Sequence, residues 1–536
     1  MMAKSKIIFH EGAIPIKLHE EWHFGVFELE VAKTDMTELP QEIHLMLDKS
    51  GSMDEICSDR SSKIDQIKHV TKNILHFVKG KRVSVGVSAF NSTVSTIFPK
   101  TEVREDNIDE LIASVKRMYA EDETNIGDAL QSMRSFSNGK ERHNIFMTDG
   151  DATVGEKDPA KLLKFVDQTA ASNTFIGFGF DHNPDMFLAL NNAENSNYYF
   201  IDKIEKSGLA YGEILHNILF KCIQNVKITI YNGLIYDWKT NEWLNEITIG
   251  SIASEAKKTF QLVAPDMSKV IIIVSGIPSI YDEIAYGGAL YDEGTINIVN
   301  VECSDSSATD DYPSMEFSRS FMHTGHMEDL MKMFYRQKTQ EYLYLAKTKA
   351  CEKRLVKDLK KDIAEFTKEM KEYMKTHDLV DDLLMKNLCD DMVVVYKTFG
   401  TRFGMMYSSA RQTSQGNERL FNVCDTPTRS GNHYEPHENE SQMWEHTLSE
   451  ESPYYSEQLA GVMRDVSVPQ TSIGLTVKTN DFTLPDGSLF FPQLFRANTS
   501  SEPLTLEDLT DGLSPKDLTP KEHSAEVHQF SRSTSV

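Results

Sequence analysis

An apolar run, Glu42-Ile43-His44-Leu45-Met46-Leu47, ends in Asp48-Lys49-Ser50-Gly51-Ser52-Met53. One carboxylate followed by hydroxyls at alternate positions of a turn would converge at the carboxyl edge of a strand, where open α/β sheets place ligands. Two further stretches carry the same kind of atom. Asp122-Glu123-Thr124-Asn125-Ile126-Gly127-Asp128 precedes a helical pattern, and Asn144-Ile145-Phe146-Met147-Thr148-Asp149-Gly150-Asp151 closes an apolar strand. Carboxylate, hydroxyl and water oxygens are hard donors. They suit Mg²⁺, Mn²⁺ or Ca²⁺ and not a soft zinc site.

The elements that would position these loops run from about 42 to 222. Apolar strands read at residues 43–47, 83–90, 144–147, 174–178 and 198–201, with helical stretches between them. The clearest helix spans 63–78, where Ile64, Ile67, Val70, Ile74 and Phe77 recur at spacings of three and four. Such alternation predicts an α/β unit with a doubly wound, mostly parallel sheet. Residues 1–41 hold two strand-like runs. Residues 223–325 are strand-rich, with Val226-Lys227-Ile228-Thr229-Ile230 alternating, and read as an antiparallel, sandwich-like β domain. The N-terminal strands would complete that domain if the α/β unit were an insertion.

Residues 326–424 read as a helical hairpin or three-helix unit. Leu355, Leu359, Ile363, Phe366, Met370 and Tyr373 form one apolar stripe, flanked by helices through 327–345 and 379–399. From 425 to 536 the chain carries 18 acidic against 7 basic side chains and is rich in Ser, Thr, Pro and Asn. That composition predicts a mostly disordered acidic tail. Apolar islands at 487–491 and 504–513 are candidate docking motifs, and Thr426, Ser452, Ser514 and Thr519 precede Pro as candidate phosphorylation sites.

The chain has 536 residues, enough for three or four units. Its 81 acidic against 56 basic side chains give a net charge of −25, which disfavours nucleic acid and anionic lipid surfaces. No apolar run approaches the ~18 residues of a membrane span, and no apolar segment follows the basic start at Lys4 and Lys6. Six cysteines lie far apart without a C-x-x-C pair, which reads as free thiols in a cytoplasmic protein. Enzyme signatures fail: Gly86-Val87-Ser88-Ala89-Phe90 lacks the last Gly of a nucleophile elbow, and Gly177-Phe178-Gly179 lacks the third Gly of a dinucleotide loop. No catalytic residue is expected.

The three oxygen-bearing loops resemble those of a von Willebrand factor type A domain, over about residues 42–222. That family's metal-ion-dependent adhesion site is Asp-x-Ser-x-Ser plus a Thr and an Asp from two later loops, matched here by Asp48, Ser50, Ser52, Thr124 and Asp149. The resemblance implies that Ser50, Ser52 and Thr124 bind the metal through hydroxyls, with Asp48 and Asp149 acting largely through water. It leaves one position for a Glu or Asp carboxylate of a partner protein. The implied function is metal-dependent protein–protein interaction, with Mg²⁺ as the cation and Mn²⁺ or Ca²⁺ as alternatives. A structural or assembly role, scaffold or virion-type, through the helical region is the second reading, and a hydrolase ranks below both. Residues 54–60 look like an insertion relative to the family, and Asp151 reads as a solvated loop acid. In related domains the last helix, here read at 211–219, shifts on ligand binding. It runs into the strand at Val226, so a shift would reach the β-rich part.

Overall fold

The computed structural model describes residues 3–9, 22–35, 41–56, 61–135, 142–166, 172–179, 183–191, 193, 196–201, 207–278, 296–302, 322–324, 326–349, 352–420, 452 and 454–467. Ala3–Phe9 (β1) and His23–Val31 (β2) come first, then Gln41–Asp48 (β3), a 3₁₀ turn at Gly51–Asp54 and Lys63–Val78 (α1). Next are Val83–Phe90 (β4), Val94–Glu102 (β5), Ile108–Lys116 (α2), Ile126–Ser135 (α3), Arg142–Thr148 (β6), Pro159–Val166 (α4), Ser172–Phe178 (β7), Pro184–Asn191 (α5), Ser196–Ile201 (β8) and Ser207–Leu219 (α6). Strands follow at Lys221–Tyr231 (β9), Leu234–Asp237 (β10), Glu242–Leu244 (β11), Glu246–Ala253 (β12), Lys257–Ala264 (β13), Ile271–Pro278 (β14), Ile296–Glu302 (β15) and Met322–Thr324 (β16). The remaining helices are Met327–Thr348 (α7), Lys353–Thr376 (α8), Leu383–Thr398 (α9), Arg402–Gly416 (α10) and Glu457–Val466 (α11).

The α/β sheet has the order β5-β4-β3-β6-β7-β8. All neighbours run parallel except β4 and β5, so this is the predicted doubly wound, mostly parallel fold. The chain goes from β3 out to β4 and later returns to lay β6 on the other side of β3. That reversal makes the carboxyl ends of β3 and β6 the switch point where such sheets bind ligands. Period-two alternation sends Leu45, Leu47 and Met147 to one face, against α1, α2 and α6. It sends Met46, Phe146 and Phe175 to the other, with α3, α4, α5 and the helices α7–α10.

Two more sheets, β11-β10-β13-β2-β1-β16 and β12-β9-β14-β15, share one apolar core that includes Phe27, Leu29, Ile228, Ile230, Ile272 and Val274. β2 pairs antiparallel with β13, from His23–Ala264 to Glu30–Lys257. The α/β unit therefore lies in sequence between strands that meet in one sheet.

Three elements go beyond the sequence reading. β5 is an edge strand with Pro99 and mostly exposed alternate positions, a pattern that carries little hydrophobic signal. α10 extends the helical unit. Its apolar positions Phe403, Met406, Tyr407 and Ala410 are diluted by polar positions that are buried as well, including Ser408, Ser409, Arg411, Gln412 and Thr413. Within 425–536, expected to be mostly disordered, α11 is a formed helix. Ser456 caps it by accepting from the Leu459 amide, and Leu459, Val462, Met463 and Val466 share its buried face. The docking islands at 487–491 and 504–513, and Thr426, Ser514 and Thr519, lie outside the described residues; Ser452 is half-buried.

Candidate metal centre

Asp48 is the last residue of β3, and Ser50 and Ser52 follow in the turn at the switch point. The Ser50 amide donates to Asp48 Oδ1 at 2.7 Å, folding the turn back over the carboxylate. The Ser50 and Ser52 hydroxyls are hydrogen-bonded at 3.2 Å, and Ser52 Oγ donates to Asp149 Oδ1 at 2.7 Å. Asp149 directly follows β6, the strand beside β3. The structure therefore joins Asp48, Ser50, Ser52 and Asp149 in one chain of contacts. Asp48, Ser50 and Asp149 are buried, and Ser52 is half-buried.

Thr124 is tied in through the backbone. Its amide donates to Thr153 Oγ1 at 2.7 Å, and its carbonyl accepts from the Thr153 and Val154 amides, just beyond Asp149. The same loop meets the first one where the Gly51 amide donates to the Asp122 carbonyl at 2.9 Å and the Glu121 amide to the Lys49 carbonyl. Asp122 sits at φ +66°, a left-handed conformation that side chains with a Cβ seldom adopt. Asn91, after β4, holds that turn by donating to the Glu121 carbonyl and Asp122 Oδ2. Asn91 is also the first residue of an N-x-S/T sequon, and burial of its amide leaves no room there for a glycan.

Two side chains outside the expected ligand set also reach the centre. Thr148 Oγ1 donates to Asp48 Oδ2 at 2.5 Å, which its position inside a strand does not announce. Lys63 Nζ donates to Asp149 Oδ2 at 2.6 Å and to Glu55 Oε2 at 2.6 Å. The available signal is electrostatic: a lysine at the first position of α1 opposes the helix dipole, so something else must hold it there.

Burial, followed by the charge of Asp149, pushes the Asp48 carboxyl up to about 7, against hydrogen bonds from Thr148 and Ser50 that pull it down. Burial works to lower the Lys63 ammonium, but Asp149 and Glu55 outweigh it and its pKa is raised. The centre thus confines two buried carboxylates around hydroxyl oxygens, an excess of hard negative donors that a divalent cation relieves. Among the described residues no group of three or more His, Cys, Asp and Glu is placed to hold a metal, so any cation here relies on hydroxyls. Asp151 is half-buried beside the centre.

Residues 42–211 match the family model of the von Willebrand factor type A domain, and the α/β unit is such a domain. These domains often bind a divalent cation at the adhesion motif. Inter-alpha-trypsin inhibitor heavy chain H3 of Pongo abelii is 28% identical over 203 residues, 35% of this chain and 21% of that protein. Heavy chain H4 of Sus scrofa is 28% identical over 159 residues, 27% of this chain and 16% of that protein. The chain thus spans about a fifth of the length of the curated relatives it matches. Among solved structures, the von Willebrand factor type A protein of Catenulispora acidiphila aligns with a TM-score of 0.44 at 13% identity, covering 72% of this chain and 89% of that one. No helix among the described residues is long and apolar enough to cross a membrane.

Proposed function

We propose that the von Willebrand factor type A unit is a cation-dependent protein-interaction module. Ser50, Ser52 and Thr124 would hold the ion through hydroxyls, with Asp48 and Asp149 supplying the negative charge. Mg²⁺ is the first candidate, with Mn²⁺ and Ca²⁺ as alternatives. A cation held mostly by neutral hydroxyls keeps its attraction for an outside carboxylate, so the partner offers a Glu or Asp side chain. This role needs binding and no turnover. The observation that carries the reading is the convergence of two buried carboxylates with Ser50 and Ser52 at the switch point of the sheet. Assembly through the helical region has less support, because α9 and α10 bury their apolar residues within the chain.

The test is thermal unfolding of the full chain in EDTA and in Mg²⁺, Mn²⁺ or Ca²⁺, alongside Asp48→Ala and Ser50→Ala. At a hundredfold excess over Kd, the cation is expected to stabilise the wild type by about 2.7 kcal/mol, and both variants should lose that gain. A wild type indifferent to millimolar cation would sink the reading.

A further inference from the structure

Every residue of α6 except Asn217 is buried, which is unusual for an outer helix of an α/β unit. What covers it is α11, from the far C-terminal part of the chain. A Cβ on Gly212 would lie 2.5 Å from Met463 Cα, and one on Gly208 would lie 2.9 Å from Ser467 Oγ. Glycine at both positions is what lets the two helices meet at backbone distance. Leu459, Ala460, Val462, Met463 and Val466 enter the apolar core shared with α1 and α6. Polar contacts fix the orientation: Gln458 donates through Nε2 to the Thr34 carbonyl at 2.8 Å and through its amide to Glu255 Oε2 at 2.9 Å. Asn73 of α1 donates to the Val466 carbonyl at 3.1 Å.

Of the helices under this segment, α1 contacts the candidate metal centre directly and α6 touches the strand that leads into it. From α6, Tyr211 OH donates to Met147 Sδ at 3.2 Å, and Met147 precedes Thr148, the donor to Asp48. From α1, Lys63 holds Asp149 Oδ2, while Ser52 holds Oδ1. With α1 pinned, both oxygens of Asp149 are engaged by protein donors.

We infer that residues 454–467 form a removable strap, an internal ligand of α1 and α6, and that its seating opposes cation loading by keeping Lys63 on Asp149. The inference rests on the cation reading above. Freeing α1 and α6 loosens the Lys63 contact, so strap release and cation binding favour each other, reciprocally as linkage requires. The segment is suited to the role. It is short, it attaches by one helix face, the Tyr454 and Tyr455 rings and a few hydrogen bonds, and such units open well below the global unfolding free energy.

The test uses the full chain with Met463→Asp, which sets a carboxylate against Gly212. Hydrogen exchange should show residues 457–466 losing protection while β3 and β6 keep theirs. Mg²⁺ titration calorimetry should then give a Kd at least about fivefold lower than wild type, the lower end of usual coupling. A synthetic peptide of residues 452–467 should restore the wild-type Kd. A strap that exchanges freely with Kd changed by less than twofold overturns the linkage, as does a peptide without effect. If Met463→Asp also strips protection from β3 and β6, Ser456→Ala with Gln458→Ala replaces it, removing the cap and the Gln458 side-chain hydrogen bond to Thr34 but no apolar packing. The two readings separate cleanly. No Mg²⁺, Mn²⁺ or Ca²⁺ binding in either protein defeats the cation reading and the linkage together, whereas equal binding in both defeats the linkage alone.

Discussion

Asp48 and Asp391 are both wholly buried, and their surroundings could hardly differ more. Asp391, on α9, receives Arg411 Nε at 2.7 Å and Nη2 at 2.9 Å, Tyr407 OH at 2.7 Å and the Gln415 amide. A planar guanidinium set against a carboxylate in this way neutralises the charge and fills its lone pairs. Close by, Arg336 holds Glu418 at 2.8 Å, so α7 and the end of α10 are fastened by the same chemistry. Asp48 is met by uncharged donors, the Ser50 amide and the Thr148 and Ser50 hydroxyls, and has a second carboxylate for a neighbour. A buried acid with its charge answered is a fastener. One left short of positive charge, at a sheet edge built of hydroxyls, is the feature on which the proposed cation site rests.

Cutting the fastener should have the largest effect. Arg411→Ala strands the Asp391 charge in the interior and is expected to cost about 3–5 kcal/mol in urea unfolding, the same in EDTA as in Mg²⁺. A cost that shrank on adding Mg²⁺ would blur the distinction between the two sites. Lys63→Met comes next. It removes a charged hydrogen bond to Asp149, worth about 1.5–3 kcal/mol. That cost should appear in EDTA and diminish in Mg²⁺, where the cation takes over the lysine's task; equal costs in both buffers would count against the cation.

The third effect is a pH slope. Without cation, the Asp48 pKa of about 7 in the folded chain stands above the ordinary carboxylate value of 3.8. The folded state therefore holds more protons between those values. The Asp48 contribution is fully present below about pH 4 and is lost as pH rises through 7. Wild type in EDTA should lose stability relative to Asp48→Asn across that window, by at most about 1.4 kcal/mol per pH unit. Denaturant titrations at pH 5, 6, 7 and 8 read the difference directly, and a flat difference would place Asp48 in a better-neutralised setting than the one described.

Legibility in the sequence followed the range of the forces involved. α1 reads correctly from Lys63 to Val78 because its apolar stripe is local, and the strands of the parallel sheet read because they are buried on both faces and nearly continuous. The three loops around Asp48, Thr124 and Asp149 are short motifs at strand and helix ends, so their oxygen atoms announce themselves. α10 does not, since its stability depends on Arg411 and Gln415 finding Asp391 on another helix. α11 is hidden by averaging: its five apolar positions sit in a tail whose composition is otherwise polar and acidic. Lys63 and Thr148 act on the centre only through tertiary contacts, and no spacing rule reveals a partner 86 or 100 positions away.

The pairing of β2 with β13 has a consequence for biosynthesis. β2 is complete at Val31, yet its neighbour ends at Ala264. At translation rates of about 5–20 residues per second, the nascent chain would carry Phe24, Val26 and Phe27 without that partner for roughly 10–50 s. The α/β unit emerges whole during this interval and can fold on the ribosome. The apolar N-terminal strand meanwhile waits beside it, and this is the stage at which a chaperone would have most to protect.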